Sequence, residues 1–159
     1  PALMIADEPT TSLDVTTQAQ ILKLIKDLRA RADSAILYIT HDLAVIAELS
    51  DRVAVMYAGK VVENAPVNEL FSRPLHPYTQ GLLESIVSMD SRTVEVGASL
   101  PTIPGTVPDL LSPPNGCRFH PRCKFVFGRC LVEEPRLIGR GTDHKVACHL
   151  YDQEVKDVS

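Results

Sequence analysis

Length, composition and charge bound the classes of protein to which this chain can belong. Its 159 residues suit one ordinary domain or a small domain with an extension, and with 45% hydrophobic residues we expect a packed core. The net charge of −4 gives no electrostatic reason to expect a nucleic acid partner. No apolar run approaches the roughly 20 residues that a membrane-spanning helix needs, so we expect any membrane attachment to pass through another protein.

The first pattern along the chain is a short apolar run that ends in two adjacent carboxylates. The run covers residues 2–6 without alternation and predicts a buried strand of a parallel sheet. Asp7 and Glu8 follow it, and Pro9 ends the strand because it lacks a backbone donor. Ligands of open α/β sheets bind at the carboxyl ends of the strands, where neighbouring side chains point to opposite faces. One carboxylate can therefore hold a metal ion while the other addresses a water molecule.

A helix and a second strand follow. Asp14 is placed to cap a helix over residues 15–32, where apolar residues recur at helical spacing. Residues 35–40 are apolar and β-branched and predict a second buried strand. His41 comes directly after it, so we expect this histidine on the same sheet edge as the two carboxylates, just before a helix that Asp42 caps.

The middle of the chain predicts architecture rather than chemistry. Residues 43–49 predict a short helix, and residues 53–57 and 60–64 predict a hairpin around Ala58-Gly59. A further short helix is expected over residues 66–73, and Pro77 is placed to begin another.

The string IADEPTTSLD, which ends at Asp14, resembles the Walker B motif and the following D-loop of ABC-type ATPases. His41 stands where that family carries its switch histidine. The resemblance implies that Asp7 holds the Mg²⁺ of Mg-ATP, that Glu8 is the general base for the attacking water, and that His41 contacts the γ-phosphate.

The same resemblance implies a D-loop, formed by Ser12, Leu13 and Asp14, that touches a partner ATPase domain. No G-x-x-x-x-G-K-[ST] phosphate-binding loop occurs in the sequence, and neither the ABC signature segment nor the glutamine loop is present. Because the chain opens at Pro1 directly on a strand pattern, we expect a fragment whose N-terminal part is missing and which is inactive alone.

Two further strings resemble one branch of this family. Residues 76–83, HPYTQGLL, and residues 103–108, IPGTVP, resemble segments of the ATPase subunits of oligopeptide and dipeptide transporters, a branch that includes nickel-type uptake systems. The resemblance implies an ATP-hydrolysing subunit that powers peptide or nickel-type uptake. It also implies a second ATPase subunit, expected to be a paralogue, and transmembrane permeases, with the protein peripheral on the cytoplasmic face of the inner membrane.

All four cysteines lie in the last third of the chain: Cys117, Cys123, Cys130 and Cys148. Two disulfides could form with three connectivities, but a cytosolic ATPase keeps its thiols reduced. Four thiolates suit an iron–sulfur cluster or a Zn²⁺ ion, although the tight cysteine pairs typical of structural zinc are missing. Spacing alone leaves metal binding and buried free thiols both open. Basic residues that would offset the charge of a thiolate cluster are interleaved with the cysteines: Arg118, Arg122, Lys124 and Arg129.

The string from Gly116 to His149 resembles the C-terminal domain of the same transporter ATPases, some of which bind a [4Fe-4S] cluster. The resemblance implies that the four cysteines are the cluster ligands, with Zn²⁺ as the alternative metal. Three nearby histidines are alternative ligands, or loop and supporting residues: His120, His144 and His149.

The predicted fold class is α/β, the C-terminal part of an ABC-type P-loop ATPase domain with a mostly parallel sheet and flanking helices, plus a small irregular cysteine-containing extension. The predicted boundaries are residues 1–88 for the ATPase part, 89–116 for a Pro-rich connector and 117–159 for the extension. One alternative is a non-enzymatic metal-binding or regulatory module with a degenerate ATPase sheet. The other is an ABC ATPase without a transporter, against which the HPYT segment and the cysteines argue.

Overall fold

A computed structural model describes residues 2–32, 34–90 and 102–152. The chain divides into two compact units, Pro1–Asp51 and Arg52–Ser159. Among the described residues, no helix combines the length and the apolar character that crossing a membrane requires.

The first unit alternates strands and helices: β1 (Leu3–Asp7), α1 (Val15–Ala32), β2 (Ala35–Ile39) and α2 (Leu43–Leu49). The two strands pair in parallel, and Asp7 at the end of β1 lies opposite Ile39 at the end of β2. The carboxyl ends of both strands therefore meet at one edge, as the sequence predicts for the residues that follow them.

Aspartate caps set the starts of both helices in this unit. Asp14 Oδ1 accepts hydrogen bonds of 3.0 Å from the backbone N–H groups of Thr16 and Thr17, which the first turn of α1 leaves without helical partners. Asp42 caps α2 in the same way. Both predicted caps and both predicted helix ranges are confirmed.

The two strands are less buried than their composition predicts. Leu3 and Ile5 of β1 are 53% and 62% exposed, and Leu37 and Ile39 of β2 lie exposed on the same face. The expectation of fully buried strands is wrong for these residues, because no described element covers this face of the two-stranded sheet. The opposite face, which carries Tyr38, is partly buried.

The second unit is built on an antiparallel sheet. Its elements in chain order are β3 (Arg52–Tyr57), β4 (Lys60–Pro66), α3 (Val67–Ser72), α4 (Pro77–Asp90), a 3₁₀ turn (His120–Arg122), α5 (Gly128–Val132), β5 (Ile138–Gly139), β6 (Lys145–Val146) and a second 3₁₀ turn (His149–Tyr151).

The strand order in this sheet is β3-β4-β6-β5, with every pair antiparallel. The predicted hairpin is confirmed, and its turn residues Ala58 and Gly59 both have positive φ, as tight two-residue hairpin turns require. A mostly parallel sheet is wrong for the described residues, because the parallel pairing is limited to β1 and β2. The cysteine-containing part is also less irregular than expected, since β5 and β6 extend the sheet from the hairpin.

A buried carboxylate joins three parts of the second unit. Glu63 of β4 has no exposed surface and accepts hydrogen bonds from the backbone N–H groups of Leu75 (2.7 Å) and His76 (2.9 Å). Its Oε1 also lies 2.7 Å from Nε2 of His144, beside β6. A buried carboxylate needs hydrogen-bond partners, and Glu63 finds them in the segment before α4 and in His144. These bonds therefore hold that segment against the sheet.

Of the predicted connector, residues 102–116 contain no helix or strand, as predicted, but residues 89 and 90 belong to α4, so the helix runs past the predicted boundary at residue 88. Residues 91–101 lie outside the described chain. The Arg122 guanidinium donates to the carbonyl oxygens of Ile103 (3.0 Å) and Pro104 (2.8 Å). The connector therefore packs on the cysteine-containing part through its backbone.

Candidate functional site

The first candidate site lies where β1 and β2 end. The Glu8 carboxylate accepts a hydrogen bond of 2.5 Å from the Thr11 hydroxyl at Oε2, and its Oε1 lies 2.9 Å from Nδ1 of His41. The structure thus brings together Glu8 and His41, which are 33 positions apart in the chain. The side chains of both are exposed to solvent, so a ligand can reach them.

Each member of this pair changes the pKa of the other. The pKa of Glu8 is lowered, first by the hydrogen bond from Thr11 and then by that from His41. The pKa of His41 is raised, first by the hydrogen bond to Glu8 and then by its charge. Both shifts favour an ionised carboxylate beside a protonated imidazole, since opposite charges stabilise each other.

The backbone at Glu8 explains how the side chain is presented. Its N–H donates to the Ile39 carbonyl at 2.9 Å, so the ladder of β1 and β2 continues to this residue. Its φ is then 45°, a left-handed conformation that is rare outside glycine and costs roughly 1–3 kcal/mol. Two turns follow, closed by Thr11 N–H to Glu8 O and Leu13 N–H to Thr10 O at 3.2 Å each. Strain of this kind is common at functional sites, where the surrounding contacts maintain it.

The other residues predicted for this site have different surroundings. Asp7 ends β1 with an exposed side chain. Ser12 is exposed at φ 69°, within the loop before α1. Asp14 is engaged by its own helix, because Oδ2 also accepts a 2.6 Å hydrogen bond from the Thr17 hydroxyl. That bond is the first cause of the lowered pKa of Asp14.

Sequence reasoning did not assign a role to Thr11, which orients Glu8, or to Thr10, whose buried hydroxyl lies 3.3 Å from that of Tyr38. Both threonines belong to the quoted motif. Their contacts are formed in the turn after β1 and with the neighbouring strand, so spacing in the sequence does not reveal them.

The second candidate site is a recess in the second unit on which all four cysteines lie. Its other lining residues include three histidines and two aromatic rings: His76, His120, His149, Phe119 and Phe125. The cysteines are free thiols, and each of Cys117, Cys123 and Cys148 is affected by the charge of at least one other cysteine. The structure therefore gathers four thiols that span more than 30 positions of sequence.

Two opposing influences act on these thiols. Burial raises the pKa of Cys117 and Cys123, and it raises that of Cys148 to about 12. Backbone N–H groups act in the other direction, because those of Phe119, Phe125 and Leu150 hydrogen-bond to these three cysteines and lower the pKa. N–H groups directed at sulphur favour the thiolate, the form that binds metal. Without a positive centre to offset burial, Cys117, Cys123 and Cys148 stay protonated at neutral pH.

The histidines around the recess have distinct bonding. His149 has both ring nitrogens engaged, Nδ1 with Asp152 at 2.6 Å and Nε2 with the Glu133 carbonyl at 2.8 Å. His144 is paired with the buried carboxylate of β4. The Nδ1 of His120 donates to the Cys117 carbonyl at 2.9 Å. These contacts engage both ring nitrogens of His149 and one ring nitrogen each of His144 and His120.

The four interleaved basic residues have varied partners. Arg118 donates to the Ala58 carbonyl, and Arg122 binds the connector. Burial raises the pKa of Cys123, and the charge of Lys124 partly opposes this. The pKa of Arg129 is raised first by its hydrogen bond to Glu133 and last by Cys130.

Within residues 2–32, 34–90 and 102–152, no group of three or more His, Cys, Asp or Glu side chains is arranged to hold a metal ion. The four thiols are the donor type that both zinc ions and iron–sulfur clusters take, so the chemistry of the donor set suits either group.

Comparison with known proteins gives the family context of both sites. Residues 62–130 match the model of the oligopeptide/dipeptide transporter C-terminal region. The chain is 51% identical to the oligopeptide transport ATP-binding protein AppD of Bacillus subtilis over 97% of its own length and 46% of that protein. It is 46% identical to the dipeptide transport ATP-binding protein DppD of Caldanaerobacter subterraneus, over 96% of this chain and 46% of that protein.

The chain is related to the ATP-binding proteins of peptide ABC transporters. The resemblance read from the motifs is confirmed, and the non-enzymatic alternative is not favoured. The chain spans less than half the length of these peptide-transporter relatives. The site at the ends of β1 and β2 and the four-cysteine recess both lie within the matched part of the chain.

Proposed function

We propose that this chain belongs to an ATP-hydrolysing subunit that powers peptide or nickel-type uptake. It would carry the residues of the ATP site that activate the attacking water, contact the γ-phosphate and hold Mg²⁺. The observation that carries the proposal is the contact between Glu8 and His41 at the carboxyl ends of two parallel strands. The near-complete match of the chain to transport ATP-binding proteins supports it.

Each residue of the pair has a role that its contacts allow. A carboxylate oxygen has two acceptor positions, so Glu8 can hold Thr11 and His41 and still accept a proton from the attacking water. His41 uses Nδ1 for Glu8, which leaves Nε2 to contact the γ-phosphate. Asp7, at the end of β1, would hold the Mg²⁺ that bridges the β- and γ-phosphates.

The test uses the full-length protein, which adds the residues that precede this chain. Glu8→Gln keeps the size of the side chain but removes the base, so ATP binding should persist while turnover falls by roughly 10²-fold or more. His41→Ala should also reduce turnover with the fold intact. Glu48→Gln is the matched control, because Glu48 is an exposed carboxylate whose ion pair with Lys26 lies on the helices. Wild-type hydrolysis by Glu8→Gln would remove this residue from the role.

We also propose the assembly that the family implies. The exposed loop at Ser12 and Leu13 would contact a second ATPase subunit, and transmembrane permeases would anchor the pair at the cytoplasmic face of the membrane. The domain boundaries predicted from sequence, at residues 88 and 116, are kept as part of this proposal. Co-purification of the full-length protein with permeases tests the assembly, and its recovery as an isolated subunit would argue against it.

The four-cysteine recess is proposed as a [4Fe-4S] site with Cys117, Cys123, Cys130 and Cys148 as ligands. Such a cluster, when bound, supplies iron centres that hold the thiolates in the deprotonated state and so crosslink the C-terminal part. Iron, acid-labile sulfide and zinc analysis of protein purified without oxygen tests this. About four irons and four sulfides per chain, lost in Cys130→Ser, are expected. One zinc and no iron would replace the cluster by a zinc site, and no metal would leave four structural thiols.

A further inference from the structure

The wall of the four-cysteine recess is made almost entirely of carbon and sulphur atoms. A polar group that faces this recess therefore finds few oxygen or nitrogen partners on the wall. The acceptors that the wall offers are the four sulphurs and the Nε2 lone pair of His120. An N–H group that reaches the recess without a protein partner is left with these acceptors or with a group bound there.

His76 is such a group. It is 1% exposed, lines the recess, and its ring lies 5.6 Å from that of Phe119. The backbone N–H of Tyr78 donates to Nδ1 at 3.0 Å, so Nδ1 is the acceptor nitrogen and the ring proton is on Nε2. Within the described part of the chain, Nε2 makes no hydrogen bond. The Nε2–H is therefore available to a group bound in the recess that His76 lines.

The other two histidines on the wall do not offer a comparable donor. His149 has both nitrogens bonded to protein oxygens. His120 donates through Nδ1 to the Cys117 carbonyl, so the neutral ring has a lone pair at Nε2. His76 is thus the imidazole on this wall that carries an N–H without a described acceptor.

We propose that Nε2–H of His76 donates a hydrogen bond to a sulphur of the thiolate-bound cluster in this recess. This inference rests on the proposed [4Fe-4S] site and assigns a function to the HPYT segment. Two backbone bonds hold the residue in place, since its own N–H is fixed by Glu63 and its Nδ1 by the start of α4. A hydrogen bond to sulphur stabilises the more negative, reduced state of a cluster and so raises its reduction potential.

The test compares two substitutions in the full-length protein purified without oxygen. His76→Asn keeps an acceptor near Nδ1 for Tyr78 but has no donor near Nε2, whereas His76→Gln extends an amide N–H₂ towards the Nε2 position. Iron and sulfide content should be retained in both. The reduction equilibrium constant of the Asn variant should fall about tenfold, which is ~59 mV for a one-electron couple. The Gln variant should recover most of this shift.

The matched control is Thr79→Val, a substitution of a buried residue in the first turn of α4 that does not line the recess. The reduction potential of this variant should equal that of the wild type. An Asn variant with a full cluster and an unchanged potential would overturn the role of His76 and leave the cluster proposal standing. A wild-type protein without iron would overturn both.

A measurement on the wild-type protein covers the case in which the variants do not fold. Electron–nuclear double resonance of the reduced protein with ¹⁵N-labelled histidine should show a nitrogen weakly coupled to the cluster. The same coupling should persist in His120→Asn, which excludes the neighbouring ring. Absence of the coupling in the wild type would overturn the proposal.

Discussion

Replacing Gly116 by alanine tests whether the backbone beside the first cysteine shapes the recess. Gly116 has a φ of 67°, and a Cβ built there would lie 2.4 Å from the Cys130 carbonyl oxygen. It would also lie 2.8 Å from the carbonyl carbon of Leu131 and 2.9 Å from the backbone nitrogen of Val132. All three are main-chain atoms, so no side-chain rotation relieves the contact.

The size of the effect follows from two losses. A non-glycine residue in the left-handed region costs about 1–2 kcal/mol. The clash also breaks the 2.9 Å hydrogen bond that the Cys117 N–H donates to the Cys130 carbonyl, which is worth about 0.5–1.5 kcal/mol. Together these predict about 2–3 kcal/mol of local destabilisation for Gly116→Ala.

Hydrogen exchange at the Cys117 amide, followed by mass spectrometry, measures this local opening. Exchange should accelerate roughly 30- to 150-fold, because each 1.4 kcal/mol is a factor of ten. Gly128→Ala is the control, since a Cβ there meets no atom within 4 Å and its φ is not left-handed. Equal protection in Gly116→Ala and the wild type would refute the reasoning.

Three further predictions concern single contacts. Glu8→Gln should lower the pKa of His41 towards 6.5 in an NMR titration. In the wild type, both members of the pair are charged between the ordinary pKa values of 4.5 and 6.5. The charged pair is lost as pH falls through the lowered pKa of Glu8 or rises through the raised pKa of His41. An unshifted His41 would contradict the pairing. Glu63→Gln should lower the free energy of unfolding in urea by about 2–4 kcal/mol, because its amide N–H₂ would face the backbone N–H groups and His144 that donate to Glu63. An unchanged free energy would mean that these donors find other acceptors. Thr79→Val should raise stability by about 1 kcal/mol, since the buried Thr79 hydroxyl has no partner among the described residues; a loss of stability would reveal one.

The local elements could be predicted because their signals are local. A cap such as Asp14 satisfies N–H groups two and three residues away, and the hairpin turn at Gly59 needs only the residues beside it. The motif around Glu8 was long enough to indicate a family, and the comparisons confirm that family. Helix bounds, the hairpin and the transporter relationship therefore followed from residue order.

Burial and sheet type could not be predicted in the same way. Apolar strands such as Leu3–Asp7 look buried in sequence, but exposure depends on which elements cover them, and one face of this pair is open. Short strands such as Lys145–Val146 have no periodic pattern because they are only two residues long, and the strand that joins this one to the hairpin, β4, is more than 80 positions away.

The sequence by itself determined the carboxylate pair, the histidine that follows the second strand and the four thiols in the last third of the chain, since residue type and spacing carry those signals. Only the tertiary structure decided that Thr11 and His41 share the two oxygens of Glu8 and that Asp14 is bound by its own helix. It likewise decided that His76 lies on the cysteine recess with its proton on Nε2. The physical reason is that hydrogen bonds and burial depend on distances across the fold, which residue order does not specify.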